Sequence, residues 1–155
     1  MPFLEQITGI LSAAADSFMG NSSGNSPVLL MLGGFKFSLN TAAFTELQRS
    51  TGYKWPAQER MGQYDALQYT GPGEDRITLP GIIFPDWKGG DGQLNNLRAL
   101  AAQGRPLQLI SSRGLILGAW VIEHVDEGQS FYKPDGTFRR QEFNVTIRKY
   151  GDASL

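Results

Sequence analysis

The chain opens on a helical stripe. Phe3, Leu4, Ile7, Ile10, Leu11, Ala14, Ala15 and Phe18 recur at i, i+3/i+4, i+7 spacing, with Glu5, Gln6, Ser12, Asp16 and Ser17 off the stripe. The pattern predicts an amphipathic helix as an N-terminal arm over residues 1–19. Gly20-Asn21-Ser22-Ser23-Gly24-Asn25-Ser26-Pro27 follows, and reads as a flexible linker over residues 20–27 that proline closes. A short lone helix is marginal in water, so its apolar face needs a docking site. That site is either its own domain or a neighbouring subunit.

From Val28 the period changes from helical to alternating. Val28–Leu32 and Phe35–Leu39 read as strands around Gly33-Gly34, a bulge or turn. Residues 44–53 fit strand or helix equally, and Trp55-Pro56 forces an extended or turn conformation. Ala66–Thr70 reads as a short strand ended by Gly71-Pro72-Gly73. Arg76–Leu79 and Gly81–Phe84 form a run that Pro80-Gly81 interrupts and Pro85-Asp86 closes. Residues 91–103 predict the main domain's helix: Asp91 as N-cap, Leu94, Leu97, Leu100 and Ala101 on one face, and Gly104 at the C-terminal left-handed position. Leu107–Ile110 is a short strand before a turn at Ser111–Gly114. In Leu115–Val125 both alternating sets are apolar, which predicts a strand covered on both faces. Residues 129–133 and 141–150 flank Pro134-Asp135-Gly136 and read as a hairpin. Strands with one helix make residues 28–152 a mainly β (α+β) domain.

Composition narrows the chemistry. At 155 residues with 41% hydrophobic and 11% aromatic content, the chain is long and apolar enough to bury a core without staples. It has no cysteine and a single histidine, which removes disulfides, thiolate nucleophiles and most transition-metal sites, and fits a reducing compartment. A net charge of −1 leaves no footprint for nucleic acid or an anionic membrane. The first residues lack the positive region of a secretion signal and no run reaches bilayer length, so the expectation is a soluble chain.

Candidate catalytic groups are few. His124 stands on a strand between Glu123 and Val125, where a packed or surface role is commoner than a dyad. Glu74/Asp75 and Asp126/Glu127 are the carboxylate pairs that glycoside hydrolysis would need, yet both sit beside turns and read as solvating charges. Ser111-Ser112-Arg113-Gly114 lacks nucleophile-elbow spacing, and Gly89-Gly90-Asp91-Gly92 lacks a phosphate-loop ending. The expectation is a protein that is not an enzyme and carries no cofactor or metal. Its aromatic residues serve packing and interfaces.

From about Met31 onward the chain resembles the GpU family of phage tail proteins of contractile-tailed phages, prophages and tailocins. The carrying stretches are Leu32-Gly33-Gly34-Phe35-Lys36-Phe37, Tyr53-Lys54-Trp55-Pro56-Ala57-Gln58-Glu59-Arg60 and Ala66-Leu67-Gln68-Tyr69-Thr70-Gly71-Pro72-Gly73. Ile77-Thr78-Leu79-Pro80-Gly81, Gly104-Arg105-Pro106-Leu107, Gly118-Ala119-Trp120-Val121-Ile122 and Arg148-Lys149-Tyr150-Gly151-Asp152 follow in order. The resemblance implies a tail-tube-like β-sandwich or barrel with one flanking helix, assembled as a homohexameric ring. It implies an adaptor or initiator role at the tube–baseplate junction. The implied neighbours are tail tube, baseplate hub and tape-measure proteins, with assembly in the bacterial host cytoplasm into a virion or tailocin. The family pattern starts close to Met31, which leaves residues 1–30 as an extension here. Its stripe residues Phe3, Leu4, Ile7, Leu11 and Phe18 are expected to contact a neighbouring subunit or baseplate layer. Interface candidates carried by the motifs are Gly33, Phe35, Trp55, Pro56, Glu59, Arg60, Gly71, Pro80, Gly81, Gly104, Arg105, Pro106 and Trp120. Arg105 is either a solvated helix stop or half of an inter-subunit ion pair. The alternative function is a small β-domain that binds peptide or glycan within a secretion or injection machine.

Overall fold

The computed structural model describes residues 27–39, 41–86 and 92–151. The arm and nearly all of the linker lie outside them. The strands are β1 (Val28–Leu32), β2 (Phe35–Ser38), β3 (Ala43–Phe44), β4 (Gln48–Lys54), β5 (Ala57–Gln58), β6 (Ala66–Leu67), β7 (Gly71–Ile83), β8 (Leu107–Ser111), β9 (Ile116–Tyr132) and β10 (Phe138–Lys149). One helix, α1 (Gln93–Ala102), joins β7 to β8. Eight strands form one antiparallel sheet in the order β2-β1-β8-β9-β10-β7-β3, with β4 also on β7, while β5 and β6 pair separately. The sheet curls into a half-barrel. Its two ends approach where the Phe37 and Phe44 rings meet edge to face, 6.1 Å apart. The mainly β fold with one flanking helix is therefore as expected, with the barrel half closed.

The concave face holds the core. In register across β7 and β10, Ile77 meets Ile147, Leu79 meets Val145, Gly81 meets Phe143 and Ile83 meets Gln141. Leu30, Leu32, Phe35, Phe37, Leu109 and Trp120 join them, all buried. Leu94 and Leu97 of α1 press onto this face, and Arg98 reaches the Glu127 carboxylate at 2.7 Å. The N-cap is Gly92 at φ 99°, not Asp91, and carries no side-chain cap. Gly104 takes the left-handed φ of 64° that ends the helix, as its spacing predicts.

Two expectations are corrected here. The first concerns the run Leu115–Val125, where Leu115 just before β9 and Ile116 at its start stand 61% and 63% exposed, so the run is not covered on both faces. Strict alternation also fails along it. The ladder with β8 slips between Gln108 and Ile110, and the ladder with β10 slips between Thr146 and Ile147, opposite Glu123. Each bulge inserts one residue and reverses the parity of the strand. Leu117, Trp120, Ile122 and Val125, three, two and three positions apart, thus all turn to the core.

The second concerns Gly71-Pro72-Gly73 and Pro80-Gly81, which neither end nor interrupt a strand: β7 runs unbroken through both. A proline inside a sheet needs a missing ladder bond. Pro80 has one, because residues 45–47 leave the ladder between β3 and β4. The Pro80 carbonyl accepts the Thr45 N–H at 2.8 Å on that side, and no donor is required of its nitrogen. Gly81 is demanded by packing instead. A Cβ there would overlap the Phe143 ring and the Ala43 carbonyl oxygen.

Candidate assembly interface

Beyond the body of the sheet, β4 and β7 continue as a two-stranded ribbon. Thr70 N–H donates to Lys54 O at 3.0 Å and Gln68 N–H to Pro56 O at 3.2 Å. Ala57 then pairs with Leu67, and Gln58 with Ala66. Trp55-Pro56 is thus extended chain within the ribbon. Gly52 and Gly73 let the strands cross closely at its base, where a Cβ on Gly73 would lie 2.9 Å from the Gly52 carbonyl carbon.

Alternate ribbon positions point to opposite faces. One face carries Tyr53, Trp55, Ala57, Leu67 and Tyr69; the other carries Lys54, Pro56, Gln58, Ala66 and Gln68. The Trp55 and Tyr69 rings are cross-strand neighbours, 5.0 Å between centroids. Nothing described covers this aromatic face: Tyr53 is 64% exposed, Trp55 54%, Leu67 62% and Tyr69 49%. At the tip, Met61 and Tyr64 are also exposed. An isolated two-stranded ribbon is at best marginal in water, and an apolar face on one calls for a partner.

The ribbon's base is anchored. Arg49 donates through Nε to Asp75 Oδ1 at 2.9 Å and through Nη2 to Oδ2 at 2.5 Å, and Thr51 Oγ1 donates to Oδ1 at 3.2 Å. The guanidinium also stands 5.6 Å over the buried Trp120 ring. Hydrogen bonding from Arg49 holds the Asp75 carboxyl below its usual 3.8, against the opposing effect of burial, with help from Arg49's charge, Thr51 and Lys149. A carboxyl depressed by folding lends stability that is complete above its unfolded value and is lost as pH falls through its folded value. The unfolding free energy should therefore drop as pH falls below about 4, and Asp75→Asn should flatten that slope. Urea titrations across a pH series measure it; an unaltered slope would exclude the pair as its source.

At the sheet's opposite end, the β9–β10 hairpin presents a second apolar surface. Phe131 and Tyr132 are exposed, and Phe131 adopts φ 58°, a left-handed conformation that is strained for a bulky side chain. The turn below is the expected one, with Gly136 at φ 86° and its N–H on Lys133 O at 3.0 Å.

The carboxylate pairs do not converge on a substrate. Asp75 faces inward to Arg49, while Glu74 contacts Arg76 and lies 3.7 Å from Arg148 on the outer face. Asp126 is exposed on the side opposite Glu127, which Arg98 and Gln141 engage. His124 is exposed on β9.

The motif residues named from the sequence divide by place. Trp55, Pro56, Glu59, Arg60 and Gly71 belong to the ribbon; Phe35, Pro80, Gly81 and Trp120 belong to the core sheet. Gly33, at φ 57°, makes the β1–β2 turn. Gly104, Arg105 and Pro106 follow the helix, and Arg105 bonds Gln103 Oε1 at 2.6 Å. Phe3, Leu4, Ile7, Leu11 and Phe18 lie outside the described residues. Tyr53, Leu67 and Tyr69 are not among the residues the sequence marks as interface candidates, although Tyr53-x-Trp55-x-Ala57 facing Leu67-x-Tyr69 is a period-two signal.

Residues 33–152 match the model of the family described as Phage P2 GpU. A "Probable tape measure protein" of Halomonas phage phiHAP-1 is 29% identical over 119 residues, a match that takes in 76% of this chain. The chain spans only 14% of the length of that relative. Among solved structures, a chain in the virion of a native gene transfer agent particle superposes with a TM-score of 0.54 at 15% identity, covering 84% of this chain and 95% of the other. At that identity the likeness speaks for the fold.

Proposed function

The chain belongs to the Phage P2 GpU family of phage tail proteins, and from that membership we propose that it is an adaptor or initiator at the tube–baseplate junction, working as a closed ring of like subunits. The six-fold number comes from the family resemblance. One observation carries the reading: a β-ribbon that projects from a finished core with a whole aromatic face uncovered. A second, different apolar surface lies at the other end of the same sheet. Two unlike surfaces on one chain favour head-to-tail contacts, which close into rings or stack between layers. Function on this reading resides in contacts rather than catalysis, within a virion or tailocin tail that is put together in the host cytoplasm.

The Trp55–Tyr69 platform would also suit a glycan or peptide, which is the competing reading. Light scattering and negative-stain electron microscopy of the purified full chain separate the two. Rings of fixed stoichiometry are expected. A chain that remains monomeric at all concentrations and binds a peptide or glycan on Trp55 would overturn the proposal.

A further inference from the structure

The outer face of β1, β8 and β9 carries an apolar row. Met31 lies in register with Ile110, and Ile110 with Ile116. Their neighbours Leu30, Leu32 and Leu109 point into the core, so these three point out. Ile116 is exposed and nothing described covers it, while Met31 and Ile110 beside it are half-buried. We propose that this row is the docking site for the chain's own residues 3–18, laid across the three strands by the stripe of Phe3, Leu4, Ile7, Leu11 and Phe18.

The length and point of entry of the preceding chain argue for that occupant. The chain reaches the sheet at Val28, three positions before Met31 on the row itself. Strands about 4.8 Å apart make the row about 10 Å wide from β1 to β9. Residues 3–18 as a helix would measure about 24 Å, enough to cross the row and the β2 edge. The linker over 20–27 can extend to about 28 Å, so the stripe can return to the row without strain. A tether of this length holds its segment at an effective concentration in the millimolar range, which favours it over the same segment of a second copy. The stripe also requires an apolar surface to be stable as a helix. Residues 1–32 precede the span matched to the family, so this device does not rest on the tail reading and stands or falls separately from it.

The absence of cysteine makes the test direct. In the full chain, Leu11→Cys combined with Ile116→Cys should oxidise to an intrachain disulfide at least about tenfold faster than Ser12→Cys with Ile116→Cys, in keeping with a tethered, oriented contact. Non-reducing gels and intact mass distinguish the products. Equal rates, or disulfide-linked dimers in place of the intrachain product, overturn the proposal; dimers would assign the row to a second copy. Hydroxyl-radical footprinting guards against a misfolded cysteine variant. Leu11→Asp should raise labelling of Met31 and Ile116 about twofold over the unsubstituted chain by removing an apolar cover. Unchanged labelling overturns the proposal as well.

Discussion

A chain carrying Trp55→Ser and Tyr69→Ser together should lose self-association by at least about a hundredfold while its body melts within about 2 °C of the unsubstituted protein. Buried aromatic anchors at the centre of an interface commonly cost 2 kcal/mol or more each when truncated. These two rings are a cross-strand pair on one face, so the substitutions remove the middle of the candidate surface. The body should be spared, because the ribbon contributes no side chain to the buried core. Losing the ring pair costs the ribbon itself about 0.5–1.5 kcal/mol. Gln58→Ala with Gln68→Ala, on the other face, provides the control and should leave association unchanged. Sedimentation velocity across a concentration series reads both. If the aromatic pair is replaced and association persists, the ribbon is not the contact.

Among the described glycines, Gly81→Ala should be the most destabilising, lowering stability by about 3 kcal/mol, at the upper end of ordinary overpacking. The new Cβ meets two obstacles at once. The Phe143 ring is held in the core, and the Ala43 carbonyl belongs to the backbone of the neighbouring strand. A flexible side chain could step aside, but neither of these can do so without opening the β3–β7 ladder. Gly34→Ala is the comparison, since nothing lies within 4 Å of a Cβ there and its φ is not left-handed. Differential scanning calorimetry should show the Gly81 variant melting about 10 °C lower and the Gly34 variant close to unchanged. Equal melting temperatures would mean that β3 is not packed as described.

Much of the sheet was legible from alternation, and its failures have physical causes. Phe143, Val145 and Ile147 alternate with polar residues, and β10 is the strand they predict. Pro134-Asp135-Gly136 marked the hairpin and Leu94-x-x-Leu97 the helix because each is a local signal. β7 was misread because proline is judged by the average strand, whereas Pro80 faces the gap left by residues 45–47. The facing of β9 was misread because a bulge leaves no trace in composition. Only the ladders with β8 and β10 reveal that Leu117 and Trp120 share a face. The ribbon was half visible. Trp55 and Pro56 stand out in the sequence, but the pairing that turns Tyr53, Leu67 and Tyr69 into one surface joins segments separated by a polar loop.

The ribbon also bears on the order of events as the chain folds. Gln58 and Ala66 are partners across eight positions, whereas Leu30 must find Ser111 across eighty-one. Short loops close sooner than long ones, and contacts distant in sequence set the pace of folding. The ribbon therefore closes early but only marginally, and its aromatic face is on display before the core that steadies it is complete. On the proposed assembly into rings this interval is the hazardous one, because chains then meet before they are finished. The rate of synthesis and the ready supply of neighbours then bear on the yield of sound particles as much as the stability of the finished fold does.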